Sequence, residues 1–217
     1  MKVIQPCLII LLLLFYSSSF AQFGGEREKQ VFKSPHYKDS LAVHKIVAIL
    51  PFQTTISYKR MPKGFNLEGN KAEEKKLAVN MQQGMYTYLL RKGGKYTVSF
   101  QDVDRTNILL RQAAIFDNLE NILPDSIAKL LNVDAVIRCN YAYEKTGSEA
   151  GAIAKSLLLG VGGKTGSGSL IMQIYNKSNG ELLWRFYKEM NETFTSNGNE
   201  VMERMMRKVS RNFPYEK

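Results

Sequence analysis

Few residues of this sequence have the chemistry of a catalytic or metal-binding site. The candidate nucleophile is Cys139, which lies in a predicted strand, and the candidate bases are His36 and His44. A nucleophilic cysteine needs a base beside it, but both histidines precede the predicted core, so the sequence places neither next to Cys139. A lone cysteine in a strand is typical of a small, buried apolar side chain. Two scattered histidines and one cysteine also do not form the cluster that a metal ion needs.

The carboxylates do not form a catalytic pattern either. Asp102 and Asp104 are typical of a helix start, and Glu73 and Glu74 are typical of a solvated helix face. Hydrolysis by paired carboxylates would need two of them to converge in a pocket, and nothing in the sequence indicates such convergence. The Gly-x-Ser-x-Gly motif of α/β-hydrolases is also absent from the sequence.

Gly163-Lys164-Thr165 resembles the end of a P-loop, the glycine-rich loop that holds nucleotide phosphates. The motif requires a glycine where Leu158 stands, and it must open a helix so that backbone N–H groups face the phosphate. Here the next residues lead into a predicted strand. We therefore expect no nucleotide, no other cofactor, no metal and no enzymatic activity.

A glycine-rich segment, residues 147–168, contains the apolar run Leu157-Leu158-Leu159. One interpretation is a mobile loop. The other is an insertion that contacts a partner or touches a membrane, because glycine permits close backbone approach and exposed leucines are unfavourable unless something covers them. The second interpretation makes Leu157, Leu158 and Leu159 candidate partner-binding residues.

The composition is that of a basic globular protein. The 217 residues include 30 Lys and Arg against 20 Asp and Glu, a formal net charge of +10, and 44% are hydrophobic. These values exclude a mainly disordered chain and a polytopic membrane protein. The positive charge is typical of a solvated surface, or of a protein that meets an anionic membrane, lipopolysaccharide or wall polymer. Aromatic residues do not alternate with basic ones as on a stacking platform, so we expect no nucleic acid partner.

Residues 1–21 have the pattern of a signal peptide for signal peptidase I. Lys2 precedes the apolar run 8–15, and Ser19-Phe20-Ala21 places small residues where the peptidase cuts. A membrane anchor is the rival interpretation, but the run is about half of the roughly 20 residues needed to cross a bilayer. Cys7 precedes the run, so it is not a lipobox cysteine. We expect an exported protein that is periplasmic or associated with the outer membrane.

The elements that must position any site follow from hydropathy patterns. Residues 22–43 show no sustained period and predict a flexible leader. Residues 44–217 predict one α/β domain in the order β-α-β-α-α-β-β-β-α, a mixed sheet of parallel strands and a C-terminal antiparallel hairpin, packed by helices. The predicted elements are strand 45–52, helix 70–92, strand 96–100, a helix from Asp102 or Asp104 to about 115, helix 124–131, strand 134–143, strands 170–175 and 182–187, and helix 199–212.

Local residues predict where these elements begin and end. Pro51 ends the first strand, and a basic loop that includes residues 58–64 follows. Asn70 is predicted to cap the first long helix, with Asn132 in a left-handed position after helix 124–131 and Asn179-Gly180 in the hairpin turn.

The last helix is amphipathic. Its predicted inner stripe consists of Met202, Met205, Met206, Val209 and Phe213. The opposite side carries four cations that could steer acidic partners: Arg204, Arg207, Lys208 and Arg211.

Three motifs resemble the CsgG-like group of bacterial envelope domains, which includes LpoB-type activators of peptidoglycan synthases and the TolB amino-terminal domain. They are Ile49-Leu50-Pro51-Phe52, the stretch 131–137 (LNVDAVI) and the hairpin 176–184 (NKSNGELLW). This sequence has Asn132 where the group usually has Gly and Asn176 where it usually has Asp, and it has no lipobox cysteine. The resemblance implies an α/β fold and a place in the cell envelope.

Together these observations predict an exported, non-catalytic envelope protein that serves as an interaction or accessory module for other envelope proteins. The alternative is an oligomeric secretion or assembly channel subunit at the outer membrane. An enzyme of another type would need a deep pocket with two or more ionisable residues.

Overall fold

The computed structural model describes residues 29–145, 166–192 and 198–217. The described strands form one seven-stranded sheet, with helices packed on both of its faces. In chain order the elements are β1 (Lys29–Lys33), α1 (Tyr37–Val43), β2 (Ile46–Ile49), β3 (Gln53–Tyr58), α2 (Leu67–Arg91), β4 (Ser99–Phe100), α3 (Val103–Gln112), α4 (Pro124–Leu131), β5 (Ala135–Lys145), β6 (Gly166–Asn176), β7 (Leu182–Glu192) and α5 (Gly198–Val209).

The predicted mixed sheet is confirmed. Its order is β1-β7-β6-β5-β2-β4, and β3 pairs with β5 beyond the end of β2. Strand β2 is parallel to β4 and β5, and β3 is parallel to β5, whereas the pairs β5–β6, β6–β7 and β7–β1 are antiparallel. Gly180 has φ of 70° in the predicted hairpin turn, and Asn132 has φ of 52° after α4, as the sequence predicts.

Two hydrophobic cores lie on the two faces of the sheet. The larger core packs α2 and α5 against β5, β6 and β7, and it includes Trp184 and Phe186. The smaller core packs α3 and α4 against Ala48, Leu50 and Val136. Among the residues described, no helix is both long enough and apolar enough to cross a membrane.

The predicted flexible leader is wrong for residues 29–43. Strand β1 pairs antiparallel with β7, from Lys29 opposite Lys188 to Lys33 opposite Trp184. Helix α1 then buries Leu41 in the larger core. The hydrogen-bond partners of β1 lie about 150 residues away in the sequence, so the local hydrophobic pattern does not predict this strand. The folded domain therefore begins at least fifteen residues before the predicted boundary at 44, and residues 22–28 lie outside the described chain.

The predicted basic loop after Pro51 is wrong in its first part, because residues 53–58 form β3. Both β2 and β3 pair with β5. The chain advances four residues from Ile49 to Gln53, whereas the paired stretch of β5 advances three, from Ile137 to Asn140. The Leu50-Pro51-Phe52 turn is therefore a kink between β2 and β3, which both pair with β5. Proline has no backbone N–H, so it removes one hydrogen-bond donor at the kink.

Helix α2 begins earlier than predicted. Asn66 caps it, because its side-chain oxygen accepts hydrogen bonds from the N–H groups of Glu68 (2.9 Å) and Gly69 (3.3 Å). The predicted cap, Asn70, instead donates from its side chain to the carbonyl of Ile56 at 3.1 Å. Asn70 therefore links α2 to β3.

The C-terminal part of the glycine-rich segment is a strand and not a loop. Residues 166–168 open β6, opposite the end of β5. A Cβ atom at Gly168 would lie 2.8 Å from the Tyr141 hydroxyl oxygen, and one at Gly166 would collide with the Tyr143 hydroxyl. These two glycines therefore make room for tyrosine rings. The predicted strand 96–100 is also shorter than expected, since only residues 99–100 form β4.

Candidate docking surface

Helix α5 presents two different sides, as its sequence predicts. The predicted inner stripe is confirmed: Met202, Met205, Met206 and Val209 are fully buried in the larger core, and Phe213 is 4% exposed. On the outer side, Arg207, Lys208 and Arg211 are exposed and Arg204 is half-buried. Packing of the methionine side therefore fixes the direction in which these cations project.

The C-terminal end of α2 brings further cations to the same place. Glu203 of α5 accepts contacts from Arg91 and Arg207, each with a nitrogen 3.3 Å from the carboxylate oxygen. Lys92, which follows α2, donates to the Tyr88 hydroxyl at 2.7 Å. Because Glu203 contacts arginines of both helices, the outer surfaces of α2 and α5 are continuous.

The C-terminal segment extends this surface. Thr97 donates its backbone N–H to the carbonyl of Tyr215 at 2.9 Å, and Lys217 donates its N–H to the carbonyl of Lys95 at 2.8 Å. The rings of Tyr96 and Phe213 pack edge to face with centroids 5.8 Å apart. Both Lys95 and Lys217 therefore lie beside the end of α2.

We call these cations together the basic surface: Arg91, Lys92, Lys95, Arg204, Arg207, Lys208, Arg211 and Lys217. The two segments that carry it, 91–95 and 201–217, contain eight Lys or Arg residues against two Glu, which leaves a formal charge of +6. The whole chain has a net charge of +10. More than half of the net charge therefore lies on about a tenth of the sequence.

Helix stability accounts for part of this charge. Arg91 lies in the last turn of α2, and Arg207 and Lys208 lie in the last turn of α5. A cation in a last turn interacts favourably with the helix dipole, by about 0.3–1 kcal/mol when exposed. Lys95 and Arg211 lie in the short 3-10 turns that follow α2 and α5, so the same effect applies to them, whereas Lys217 lies outside any helix and the dipole does not explain it. The density of charge indicates a surface suited to an anionic partner.

The other predicted partner-binding residues, Leu157, Leu158 and Leu159, lie outside the described residues, as does the rest of segment 147–165. The structure therefore does not test whether they belong to the basic surface.

The structure shows where each candidate catalytic residue lies and what it contacts. Cys139 is fully buried in the larger core, and burial raises the pKa of its thiol, so the reactive thiolate is disfavoured. His36 lies 3.3 Å from Glu181 at the surface. His44 is buried, with Nδ1 2.9 Å from the Tyr215 hydroxyl, and burial lowers the pKa of its imidazole. Within the described ranges no three His, Cys, Asp or Glu residues are grouped to hold a metal ion.

A cleft of about 570 Å³ opens at the kink between β2 and β3, with Phe52, Phe116 and Leu119 in its lining. Lys75 and Asp117 form an ion pair across its walls at 3.0 Å. The lining also contains Lys71, Glu74 and Glu120, so five ionisable side chains surround the cleft, and the exposed Lys75–Asp117 pair contributes little to holding its walls together.

Sequence reasoning found the cations of α5 but not Arg91, Lys92, Lys95 and Lys217. The basic end of α2 is visible in the sequence as Arg91-Lys92 before Gly93-Gly94. What no local pattern reveals is that α2 and the C-terminal segment end beside each other.

Comparison with known proteins finds similarity of fold only. No protein-family model matches the sequence, and no curated protein matches it. The structure is similar to lipoprotein GNA1162 from Neisseria meningitidis, with 10% identity, a TM-score of 0.42, and coverage of 77% of this chain and 98% of that one.

Two further solved structures are similar to this chain. The LpoB C-terminal domain from Salmonella enterica has 8% identity, a TM-score of 0.34, and coverage of 69% of this chain and 84% of that one. The PelC dodecamer from Paraburkholderia phytofirmans has 9% identity, a TM-score of 0.38, and coverage of 88% and 99%. The LpoB domain is of a type that the sequence motifs resemble, but at these scores nothing about the partners of this chain follows.

Proposed function

We propose that this chain is an exported, non-catalytic protein of the cell envelope, and that it binds another envelope protein through its basic surface. The observation that supports this most is a formal charge of +6 on segments 91–95 and 201–217. Their helices, α2 and α5, are held by a fully buried methionine side. A charged surface on a fixed support attracts an acidic partner and orients it on contact.

Acidic patches on a protein and an anionic membrane or wall polymer could both satisfy these cations. We propose a protein as the partner, because the resemblance of the sequence is to interaction domains of the envelope. In this proposal Leu157, Leu158 and Leu159 add apolar contacts next to the charged ones. Deletion of residues 152–165 should then leave folding intact and reduce recovery of the partner.

Charge reversal tests the surface directly. In the variant R207E/K208E/R211E, three exposed cations become anions. We expect the chain to leave the envelope fraction, because the partner is repelled. The matched control is K59E/R60E/K63E, which makes the same charge change at three exposed residues of the loop after β3. Equal loss in both variants would show a general charge effect, and no loss in either would contradict the proposal.

Vesicles separate the two kinds of partner. Purified chain should bind weakly to vesicles that contain anionic lipid and should be recovered with a cross-linked envelope protein from cells. Strong binding to such vesicles, lost in R207E/K208E/R211E, would assign the basic surface to a membrane and overturn the choice of a protein.

Export is tested by the mass of the chain isolated from its host. Cleavage after Ala21 should give a mature protein that begins at Gln22. An intact leader on chain recovered from the cytosol would contradict export. Size-exclusion chromatography tests the alternative of a channel subunit, since a ring would elute many-fold larger than a single chain.

A further inference from the structure

Strand β1 is an exposed edge of the sheet. It pairs with β7, and the described strands place no partner on its other side. All five of its residues are exposed, including Val31 at 36% and Phe32 at 48%. An edge strand with accessible apolar side chains on both faces is a template to which another extended segment can pair.

The register shows which backbone groups the edge offers. Ser34 donates its N–H to the carbonyl of Leu183 at 2.9 Å, and these two residues continue the β1–β7 register. Because antiparallel residues alternate, the N–H and C=O groups of Gln30 and Phe32 face β7, and those of Lys29, Val31 and Lys33 face outward. The free edge therefore presents three donors and three acceptors.

The charge of this edge is of one sign. Residues 29–38 include Lys29, Lys33 and Lys38 and no Asp or Glu. Lys29, Val31 and Lys33 share the face that carries Phe186 of β7, and Phe32 lies opposite Arg185 on the other face. An added strand with carboxylates opposite both lysines would therefore meet complementary charges, with Val31 between them.

The same charges disfavour a second copy of this chain. Antiparallel pairing of two β1 strands about Val31 would place Lys29 of each copy opposite Lys33 of the other, and like charges opposite each other are destabilising. Lysines on a short edge prevent such self-association. The same two lysines therefore repel a second copy and attract an acidic strand.

We propose that β1 binds an extended segment of a partner protein by antiparallel strand addition, and that this segment has acidic residues four positions apart with an apolar residue midway between them. The proposal uses none of the residues of the basic surface and does not rest on the proposed function. It adds an eighth strand to the sheet next to β1.

A peptide with the core Glu-Ile-Val-Thr-Glu tests the proposal on the purified full chain by fluorescence anisotropy. In the proposed register its two Glu residues lie opposite Lys33 and Lys29, and its Val lies opposite Val31. We expect binding at low salt that weakens at least tenfold when both Glu residues become Lys. N-methylation of the Val should abolish binding, because that N–H faces β1, whereas N-methylation of the Ile should not.

Two variants of the chain complete the test. Val31→Pro removes an outward donor and is compatible with an edge position, so it should retain folding and lose the peptide. The double variant K29E/K33E should reverse the preference and bind the Lys peptide at least tenfold more tightly than the Glu peptide, which keeps the test decisive if Val31→Pro fails to fold.

Three results would overturn the proposal: no binding of the Glu peptide to the wild-type chain, equal binding of both peptides, or equal effects of the two N-methyl groups. Dimerisation of the free chain that Val31→Pro abolishes would assign the edge to a second copy and would overturn it as well. None of these results bears on the basic surface, so the proposed function would stand or fall separately.

Discussion

The two helix layers of this protein support the same sheet but differ in charge. The layer of α2 and α5 carries the basic surface, and its whole span, residues 67–95 and 198–217, contains eleven Lys or Arg against six Asp or Glu, a formal charge of +5. The span of the other layer, residues 103–131, contains three Lys or Arg against four Asp or Glu, a formal charge of −1. Packing alone would not require this difference, because both layers bury an apolar side against the sheet.

The cores under the two layers differ as well. Five methionines are fully buried in the α2 and α5 layer, at positions 81, 85, 202, 205 and 206. The α3 and α4 layer uses Leu110, Ile127 and Leu131 instead. Charges pair locally in both layers, as Lys129 does with Asp125 at 2.8 Å in α4 and Arg207 with Glu203 at 3.3 Å in α5. The two layers therefore differ in net charge and in the residue types that fill their cores.

The largest expected effect concerns the inner side of α5. Met205→Ala should lower the free energy of unfolding by about 2–5 kcal/mol, the usual cost of truncating a fully buried methionine. Arg207→Ala, on the outer side, should change it by less than about 1 kcal/mol, because an exposed ion pair contributes little. Chemical denaturation measures both. Similar losses for the two variants would contradict the division of α5 into a supporting side and a binding side.

The next effect concerns the contact between the layers. Gln82 of α2 donates to Asn107 of α3 at 3.0 Å and to the Ile49 carbonyl at 2.8 Å, and Asn107 donates back at 2.9 Å. Gln82→Leu should cost about 1–3 kcal/mol, because it leaves buried polar groups without partners. The double variant Q82L/N107L should cost less than the sum of the single variants. Full additivity in a double-mutant cycle would show that this pair does not couple the layers.

A smaller effect is expected at Gly168, where the sheet below α2 and α5 accommodates the ring of Tyr141. Gly168→Ala should cost roughly 1–2 kcal/mol, because the new methyl group displaces the ring. Gly93→Ala is the control, since a Cβ atom there meets nothing within 4 Å. Thermal unfolding compares the two. A neutral Gly168→Ala would mean that residues 166–168 belong to a loop, as the sequence first indicates.

The smallest effect is pH-dependent and concerns the attachment of α1 to the C-terminal segment. Burial lowers the pKa of His44 below its usual value of 6.5, against the opposing effects of Asn176 and Asp134. The folded chain therefore binds fewer protons than the unfolded chain just below pH 6.5, so stability falls as the pH falls through that range. His44→Gln should lose less stability between pH 7.5 and 5.5 than wild type. Equal losses of stability in the two proteins would show that His44 does not cause this pH dependence.

Features decided by neighbours in sequence could be predicted. The left-handed Asn132, the hairpin at Gly180 and the methionine stripe of α5 each depend on a few adjacent residues, and each is confirmed. Strands β1 and β3 depend on hydrogen-bond partners far along the chain, on β7 and β5. Their own residues are too polar and too few to show the period of a buried strand.

The candidate site divides in the same way. The outer cations of α5 follow from helical spacing and were predictable from residues 199–212. The contribution of Arg91, Lys95 and Lys217 to the basic surface depends on the packing of α2 beside α5 and on the backbone hydrogen bond from Lys217 to Lys95. Tertiary packing sets that geometry, and the spacing of residues within one segment cannot express it.

Site-specific photo-crosslinking in living cells tests the central claim, that the outer side of α5 docks a protein of the envelope. A photoreactive residue at Arg211 should yield a discrete adduct with an acidic envelope protein, and one at Arg105 on the outer side of α3 should not. Equal adducts from both positions, or none from Arg211 in chain that has reached the envelope, would contradict the account.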